Sequence, residues 1–344
     1  MKHLVTVRAS GHQFEIDTDE AVLDAALRQG IALPYGCRGG SCGACLGSVA
    51  SGHFHYPGGT LPAGISEADA AAGKALFCQA RCDSDLIIDV AEVAGTADLE
   101  VRNLPVRVQI KEELAHDVMR LYLKLPKTER LQFLAGQYLD IVLKETGHRR
   151  AFSMANAPHD DEFVELHIRH AVGGEFTDYV FAAMGEKALL RIEGPLGTFV
   201  LREDSDRPWL FVGGGTGFAP LKAMIEHAIA KGETRPMHLF WGVRAKRDLY
   251  LPDLPAQWAR EHANIRFTPV LSAPMADDAW EGETGWVHEA VLRAYPDVSP
   301  FDIYIGGPPV MVEACRDGFL QHGGSMEHMF SDSFDYAALT RDTR

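Results

Sequence analysis

The spacing of apolar residues divides the chain into three stretches with different periods. In the first stretch, residues 3–9 and 12–17 alternate apolar and polar side chains, which predicts two strands. Residues 19–29 repeat apolar side chains with the period of a short helix. A further strand is predicted at 86–90. Residues 92–103 mix small and polar side chains, so we expect a linker there.

The second and third stretches differ in their alternation of strands and helices. From Leu104, short strands follow one another with a single helix at about 175–184, which indicates an antiparallel barrel. These strands are predicted at 105–112, 117–125, 138–143, 149–154, 163–170 and 188–193. From Pro208, apolar strands alternate with helices, which indicates a parallel sheet with crossover helices. The strands are predicted at 209–213, 237–242, 265–271 and 302–306, and the helices at 217–231, 253–262, 287–294 and 309–321.

Length, composition and charge limit the class of protein. A chain of 344 residues with 46% hydrophobic and 24% charged residues is typical of a folded protein of two to three domains. The net charge of −15 argues against a nucleic-acid partner, because phosphates would repel the protein, and it allows steering toward a basic partner. No apolar run approaches the length of a membrane span, and the N-terminal residues lack the apolar core of a signal peptide.

Four of the six cysteines form the most specific pattern in the chain. Cys37, Cys42 and Cys45 have the C-x4-C-x2-C spacing of a plant-type [2Fe-2S] cluster, and Cys78 supplies the distant fourth thiolate. Glycines around them allow the loop to point backbone N–H groups inward. Because ligand thiolates must stay reduced, the pattern predicts a cytoplasmic protein rather than a disulfide framework.

The alternatives to this assignment differ in their ligands. A zinc ribbon needs a second C-x2-C pair, which is missing. A Rieske centre needs two His ligands, and no His neighbours a Cys in this stretch. Cys82 competes with Cys78 for the place of the fourth ligand, and we prefer Cys78 because it fits the motif. Cys315 lies on the apolar side of a predicted helix and is expected to be a small core residue.

Further motifs follow in the second and third stretches. Residues 150–156 end a predicted strand with Arg, Phe and Ser, which suit a pyrophosphate, a flat ring and a ring nitrogen. Residues 173–177, Gly-Gly-Glu-Phe-Thr, open a helix and make a possible anion site. Residues 194–199 form a tight turn. Residues 211–220 pass through Gly-Gly-Gly-Thr-Gly into a helix, and residues 304–311 repeat this strand-to-helix turn where a nicotinamide ring would lie. Each motif alone is compatible with simple turn chemistry, so their order is the informative feature.

The strand after the glycine turn lacks the acidic end expected for a ribose contact. Arg244, Lys246 and Arg247 follow it instead. They predict contact with an adenosine 2′-phosphate or ribose edge, or else a solvated surface run. The chain is therefore not an ordinary Rossmann dehydrogenase, although it can still bind a dinucleotide.

With these motifs in this order, the chain resembles bacterial single-chain reductases in which a plant-type ferredoxin domain precedes a ferredoxin–NADP reductase-like unit. The four cysteines, R-x-[YF]-S, the glycine pair, G-P-x-G-x-F, G-G-G-T-G and G-P-P-x-M carry the resemblance, which extends to about residue 336. It implies a multidomain fold. An N-terminal β-grasp [2Fe-2S] ferredoxin domain (1–93) would precede an antiparallel β-barrel FAD domain (103–203) and an α/β parallel-sheet NAD(P)-binding domain (206–335).

The resemblance also implies roles for the motif residues. The cluster ligands are Cys37, Cys42, Cys45 and Cys78. The FAD-binding residues are Arg150, Phe152, Ser153, Gly173, Gly174 and Thr177, with Ser153 as the catalytic residue beside the flavin N5. The nicotinamide cofactor is assigned to Gly214, Thr216, Gly217, Arg244, Gly307, Pro308 and Met311. Phe330 or Phe334 either shields the flavin face or packs in the core. Phe152 and Gly306 depart from the family pattern, which often has Tyr and Cys there.

The implied function is electron transfer from NADH (or NADPH, with NADH expected) through FAD and a [2Fe-2S] cluster to an electron-accepting protein. The acceptor is expected to be the terminal component of a bacterial di-iron monooxygenase or Rieske dioxygenase. The alternative is the reductase of 3,6-dideoxysugar biosynthesis (CDP-6-deoxy-glucoseen reductase), which residues 194–201 and 241–251 resemble in particular. Rivals of other classes are a redox sensor or scaffold without turnover, and a free flavin reductase or superoxide-generating oxidase.

Overall fold

The structure is a computed structural model, and it describes residues 2–93, 95–96 and 99–334. The chain divides into two compact units. Residues up to 100 form the first unit together with residues 197–199, and residues 101–196 with those from 200 onward form the second. Within the described ranges, no helix has both the length and the apolar character needed to cross a membrane.

One mixed sheet forms the first unit. Its strands are Lys2–Val7 (β1), Gln13–Asp17 (β2), Leu46–Ser51 (β3), Lys74–Leu76 (β5) and Leu86–Asp89 (β7), and the pair Phe54–His55 (β4) and Arg81–Cys82 (β6) lies apart. The sheet order is β2-β1-β7-β3-β5, in which only β1 and β7 run in parallel. The helices are Val22–Arg28 (α1) and Glu67–Ala71 (α2).

Helix α1 begins later than predicted, since a turn precedes it. Its first amides are satisfied by carbonyls distant in sequence: Val22 N donates to Ala80 O at 3.1 Å and Leu23 N to Phe77 O at 2.9 Å. Such amides otherwise lack partners at a helix start. Both side chains of this first turn are fully buried. The helix therefore holds the backbone on either side of Cys78.

An antiparallel barrel begins the second unit. Its strands are Arg102–Ala115 (β8), Val118–Lys124 (β9), Tyr138–Val142 (β10), Arg149–Ser153 (β11), Val164–Arg169 (β12) and Leu189–Leu196 (β13), and its helix is Glu175–Ala182 (α3). The order is β11-β10-β13-β8-β9-β12, and an isolated bridge between Met154 and Leu166 connects the two outer strands. Leu121, Leu139 and Ile192 are fully buried in its interior. The predicted barrel with one helix is confirmed.

A parallel sheet completes the second unit. Its strands are Trp209–Gly214 (β14), Met237–Val243 (β15), Ile265–Leu271 (β16), Glu283–Thr284 (β17), Asp302–Gly307 (β18) and Met329–Ser333 (β19). Its helices are Phe218–Ala230 (α4), Asp253–Glu261 (α5), Val287–Ala294 (α6) and Pro309–Leu320 (α7). The order β17-β16-β15-β14-β18-β19 places β14 between β15 and β18, and every residue of β14 is buried. A continuous apolar strand of this kind is typical of a sheet covered on both faces.

The two outer strands of this sheet, β17 and β19, were not predicted. Both are short, and β19 has two apolar residues followed by Ser-Asp-Ser, so it lacks the alternation that predicts a strand. β19 pairs in parallel with β18, with Asp332 opposite Gly306. Strand β19 therefore brings the carboxyl group of Asp332 to the end of the sheet where the glycine turns lie.

Candidate functional site

The four cysteines predicted to bind iron are arranged as two pairs. Cys37 is hydrogen-bonded to Cys42, and Cys45 to Cys78. Over residues 2–93, 95–96 and 99–334, no three His, Cys, Asp or Glu side chains form a group suited to one metal ion. In a [2Fe-2S] cluster, four thiolates serve two irons, so each iron takes two of them and shares bridging sulfides with the other. Two pairs of sulfurs fit that requirement.

Donors of the loop point at the first pair of sulfurs. Cys37 Sγ accepts hydrogen bonds from Gly39 N at 3.3 Å, Ser41 Oγ at 3.3 Å and Cys42 N at 3.4 Å. Cys37 N in turn donates to Cys42 Sγ at 3.4 Å. The hydrogen bond from the Cys42 thiol, with those from Ser41, lowers the pKa of Cys37 to about 4 against the opposing effect of burial. The loop thus stabilises a thiolate, which is the form that binds metal.

Backbone geometry determines the shape of this loop. Arg38, Gly40 and Gly43 have φ angles of 55°, 78° and 76°, in the left-handed region that favours glycine. Gly64 packs directly on the loop, because a Cβ there would lie 2.9 Å from Gly40 O and from Gly43 N. A Cβ at Gly36 would come within 3.3 Å of Cys42 Sγ. The glycines therefore leave the room around the sulfurs that a cluster needs.

The two remaining cysteines lie in different surroundings. Cys82 is fully buried on β6, and burial raises the pKa of its thiol to about 12. Cys78, by contrast, has its pKa lowered by the hydrogen bond with Cys45. The pairing of Cys78 with Cys45 favours Cys78 as the fourth ligand. Cys315 is buried in the core of the parallel sheet, in agreement with the expectation from its helix face.

Strand β11 carries the residues predicted to bind FAD. Arg150 Nη2 lies 3.5 Å from Glu175 Oε2 at the start of α3. Phe152 packs against Phe176 with ring centroids 5.4 Å apart. Because side chains alternate along a strand, Arg150 and Phe152 share one face. A guanidinium beside an aromatic face is suited to a pyrophosphate and a flat ring.

The glycine pair before α3 shapes the turn at the helix start. Gly173 has a φ of 82°, and a Cβ at Gly174 would lie 2.7 Å from Thr177 Oγ1. Thr177 Oγ1 donates to Ala171 O at 2.8 Å, so its hydroxyl holds the turn itself. The groups in this turn that can bind a phosphate are therefore the first backbone N–H groups of α3.

Ser153 has a partner that the sequence analysis missed. Its hydroxyl donates to Asp332 Oδ2 at 3.0 Å, and both residues are only 8% exposed. Since the hydroxyl proton is committed to Asp332, the oxygen lone pairs of Ser153 remain available to accept a hydrogen bond from a ring N–H. The signal for Asp332 was an acidic residue between two aromatics, Phe330 and Phe334, near the end of the chain.

Close backbone contacts bring together the residues predicted to bind the nicotinamide cofactor. Gly214 and Gly307 end the neighbouring parallel strands β14 and β18. A Cβ at Gly214 would lie 3.1 Å from Pro308 Cδ, and one at Gly307 would lie 2.7 Å from Met311 Cε. A Cβ at Gly217 would overlap the carbonyl oxygen of the residue before Gly307. The buried Thr216 lies in the same turn.

Arg169 is a second residue that the sequence analysis missed. It ends β12, and a Cβ at Gly215 would lie 3.1 Å from its Cζ, so the guanidinium lies against the glycine turn. Asp117 holds it from the other side, with Oδ2 3.0 Å from Arg169 Nε. The signal in the sequence was a cation at the end of a strand that alternates apolar residues with Glu165 and His167. This position suits the pyrophosphate of a dinucleotide.

The two aromatic residues predicted to cover the flavin, Phe330 and Phe334, lie in different environments. Phe330 packs on Tyr304, with ring centroids 5.1 Å apart, whereas Phe334 N donates to Gly307 O at 2.8 Å and so lies beside the glycine turn that ends β18.

The basic residues after β15 also differ in their contacts. Arg244 is exposed just after β15. Lys246 is engaged, since its Nζ donates to Asp278 O at 3.3 Å and its backbone N donates to Asp278 Oδ2 at 3.1 Å.

Three domain families match the chain in the predicted order. Residues 5–83 match the 2Fe-2S iron-sulfur cluster binding domain, residues 105–201 the oxidoreductase FAD-binding domain and residues 211–317 the oxidoreductase NAD-binding domain. The chain is 39% identical over 330 residues to the CDP-6-deoxy-L-threo-D-glycero-4-hexulose-3-dehydrase reductase of Yersinia pestis, covering 96% of this chain and 98% of that protein.

Two further comparisons extend this likeness. The chain is 34% identical over 324 residues to the phenol hydroxylase P5 protein of Acinetobacter pittii, covering 93% of this chain and 91% of that one. The crystal structure of a cytochrome P450 reductase from Amycolatopsis superposes with a TM-score of 0.78 at 34% identity, covering 96% of this chain and 98% of the other. Each likeness spans both units rather than a single domain.

Proposed function

The chain belongs to the family of single-chain reductases that join a plant-type [2Fe-2S] domain to an FAD-binding and an NAD-binding domain, and from this premise we propose its residue roles, donor and acceptor. It is an NAD(P)H-dependent oxidoreductase that transfers electrons to a partner protein. When bound, FAD takes up a hydride from the nicotinamide and the cluster passes single electrons onward. The observation that carries this function is the two-by-two arrangement of the four sulfurs.

In the proposed cluster site, Cys37 and Cys42 would hold one iron, and Cys45 and Cys78 would hold the other. The N–H donors around Cys37 support a negative charge on its sulfur. The corresponding domain is proposed to span residues 1–93, and the FAD-binding and NAD(P)-binding domains 103–203 and 206–335.

In the proposed FAD site, Ser153 is the catalytic residue. Its oxygen, oriented by Asp332, would accept a hydrogen bond from the N5–H that the ring carries once it is reduced. Arg150 exchanges its contact with Glu175 for the pyrophosphate. The other contacts proposed for FAD are Phe152, Gly173, Gly174 and Thr177, with Thr177 acting through the turn that it holds.

In the proposed nucleotide site, the two glycine turns let the diphosphate approach the backbone. Arg169 supplies the positive charge. Phe334 is favoured over Phe330 as the aromatic that covers the flavin face, because of its contact with Gly307. The remaining contacts proposed for the nicotinamide cofactor are Gly214, Thr216, Gly217, Arg244, Gly307, Pro308 and Met311.

We propose NADH as the preferred donor. Lys246 is bound to Asp278, and the carboxylate of Asp278 would repel the 2′-phosphate that distinguishes NADPH. Arg244 is then available for the ribose edge. Comparing kcat/KM for NADH and NADPH tests this proposal, and a higher value for NADPH would contradict it. We also propose a cytoplasmic location, since the cluster requires thiols that stay reduced.

For the acceptor, we propose the terminal component of an oxygenase, by analogy with the phenol hydroxylase relative. A second candidate is a CDP-hexulose dehydrase, which the 39% identity to the Yersinia pestis reductase favours. The two are distinguished by mixing NADH-reduced protein anaerobically with each purified acceptor. The true acceptor should reoxidise the cluster at a rate that saturates with its concentration.

One experiment tests the function as a whole. The protein, reconstituted with FAD, iron and sulfide, is titrated anaerobically with NADH. Visible absorption should fall at both flavin and cluster wavelengths, and an acceptor should restore it. A cluster that stays oxidised while the flavin is bleached would indicate a free flavin reductase. A protein in which neither absorption changes would be a sensor or scaffold.

A further inference from the structure

Three polar side chains lie on one face of β12, and the last of them, Arg169, lies against the glycine turn of the parallel sheet. Glu165, His167 and Arg169 share this face because side chains alternate along a strand. The side chains of Glu165 and His167 are only 4% and 0% exposed. Buried polar groups of this kind need partners, and theirs belong largely to the parallel-sheet part of the second unit.

Lys222, on α4, is the central partner. Its Nζ donates to Glu165 Oε2 at 2.9 Å, to Glu226 Oε2 at 2.9 Å and to Ala155 O at 3.0 Å. An ammonium group has three donors, so all of them are used. The Lys222 side chain is 7% exposed. A buried ion pair often adds little stability over apolar packing, whereas it can fix one arrangement of the parts that it joins.

The ammonium joins two segments with different roles. Ala155 follows Ser153 by two residues, and Ala155 N donates to Glu165 O at 2.8 Å. Asn156 Oδ1 accepts from Glu165 N at 2.9 Å. Lys222 lies in the helix that begins directly after the glycine turn. Lys222 therefore connects the segment after Ser153 directly to this helix.

His167 makes a second connection from the same strand. Its Nδ1 lies 3.0 Å from the hydroxyl of Tyr250, whose ring contacts Trp241 edge-on with centroids 5.0 Å apart. Trp241 Nε1 donates to Gly215 O at 2.9 Å. Phe218 stacks on Trp241 at 4.1 Å. Through Tyr250 and Trp241, His167 is thus connected to the carbonyl of Gly215 in the glycine turn and to the first residue of the helix that follows.

We propose that Lys222 is a positioning residue that couples the FAD-binding segment 153–156 to the nucleotide turn 213–217. FAD on β11 orders the segment that contains Ala155. Through Lys222 this fixes the start of α4, so that the turn presents its N–H groups to a diphosphate. The inference rests on the proposed FAD and nucleotide sites. Coupling between two ligands is reciprocal, so FAD and the nicotinamide dinucleotide must each raise the affinity of the protein for the other by the same factor.

The test measures the affinity for ADP-ribose with and without FAD by titration calorimetry on the full chain. ADP-ribose carries the diphosphate but no nicotinamide ring, so stacking on the flavin does not contribute. In the unchanged protein, FAD should raise the affinity by about fivefold or more, which is the lower end of typical couplings. In Lys222→Met the factor should fall below about twofold. The control is Lys231→Met, just after the same helix, whose ion pair with Glu203 is exposed.

A second variant distinguishes a loss of coupling from a loss of folding. Lys222→Met leaves two carboxylates without their cation, so the double variant Lys222→Met/Glu165→Gln removes one charge of each sign. Loss of the coupling in both variants, with Lys231→Met unchanged, supports the proposal. An undiminished coupling in the double variant would overturn it, as would no enhancement by FAD in the unchanged protein. Failure of the unchanged protein to bind ADP-ribose at all would instead overturn the nucleotide site on which the inference rests.

Discussion

The cluster loop and the nucleotide turn are both rich in glycine, yet they use it differently. In the cluster loop, Gly40 and Gly43 have positive φ angles that aim donors and sulfurs, and the chemistry is done by four side chains. In the nucleotide turn, Gly215 also has a positive φ, of 54°, but Gly217 has an ordinary helical φ and is needed because the neighbouring strand leaves no room for a Cβ.

This difference separates two ways of building a cofactor site. A site made of side-chain ligands loses its function when one ligand is replaced, while the surrounding backbone can persist. A site made of close backbone contacts fails when anything is added to it, because the backbone itself must then move. Substitutions in the cluster loop and in the nucleotide turn should therefore fail in these separate ways.

Substituting Cys42→Ser should have the largest effect. Removing one thiolate from the first sulfur pair should abolish the visible absorption of the cluster and reduce transfer to the acceptor protein to background. NADH-dependent reduction of ferricyanide through FAD should stay within about twofold, because the second unit is untouched. Optical spectra and the two activities check this.

The matched control is Cys82→Ala, at the buried cysteine that lies outside both sulfur pairs. It should retain the cluster absorption. Loss of the cluster in this control would make Cys82 a ligand. Loss of both activities in a folded Cys42→Ser protein would contradict the separation of the two regions.

Acid should destabilise the second unit through Glu165. Burial raises the pKa of this carboxyl, but the hydrogen bond from His167 and the charge of Lys222 outweigh it and lower the pKa to about 2 from an ordinary 4.5. A depressed acid pKa stabilises the fold above about pH 4.5, and this contribution is lost as pH falls toward 2. The difference corresponds to about 3 kcal/mol, or roughly 300-fold in the unfolding equilibrium.

Tryptophan fluorescence can follow this loss, because all five tryptophans lie between residues 209 and 286 in the second unit. Glu165→Gln should flatten the dependence of unfolding on pH between about 5 and 2. Glu203→Gln, which removes an exposed carboxylate paired with Lys231, should leave it nearly unchanged. Equal slopes in the two variants would exclude Glu165 as the source.

The cluster region and the backbone turns could be predicted from the sequence for a physical reason. Three of the four proposed cluster ligands lie within nine residues, Cys37 to Cys45, so their spacing alone predicts the site. The glycine turns are likewise contiguous, and the strands that precede them are strongly apolar. The barrel and the parallel sheet followed from the change of period near residue 208.

What the sequence did not reveal depends on contacts between distant strands. Asp332 reaches Ser153 because β19 pairs with β18, and this weakly apolar outer strand was not predicted. Lys222 and Arg169 are single cations whose partners lie far away in sequence. The hydroxyl of Thr177 donates to Ala171 O, a local contact that spacing alone does not reveal.

Substituting Gly217→Ala tests whether added volume disrupts the nucleotide turn, which is built from close backbone contacts. The added Cβ would overlap Gly306 O, so the two turns must separate. Overpacking of this kind costs about 1–3 kcal/mol, which we expect to appear as roughly a 30-fold loss of ADP-ribose affinity and of kcat/KM for NADH. The cluster absorption should not change. Gly185→Ala is the control, because nothing lies within 4 Å of a Cβ there. Equal losses in both variants would contradict a steric cause.

The smallest effect is expected for Ser153→Ala and Asp332→Asn, which alter a side-chain hydrogen bond inside the region built from backbone contacts. Each should slow flavin reduction by NADH about tenfold, the loss expected from removing one buried charge-assisted hydrogen bond worth about 1.5 kcal/mol. Because Asp332 acts through the Ser153 hydroxyl, the double variant should be no slower than either single one. Anaerobic stopped-flow measurement of flavin bleaching gives these rates, and Ser331→Ala, on the opposite face of β19, is the control. Additive losses in the double variant would mean that Asp332 acts independently of Ser153, and this site would then depend on separate side chains as the cluster loop does.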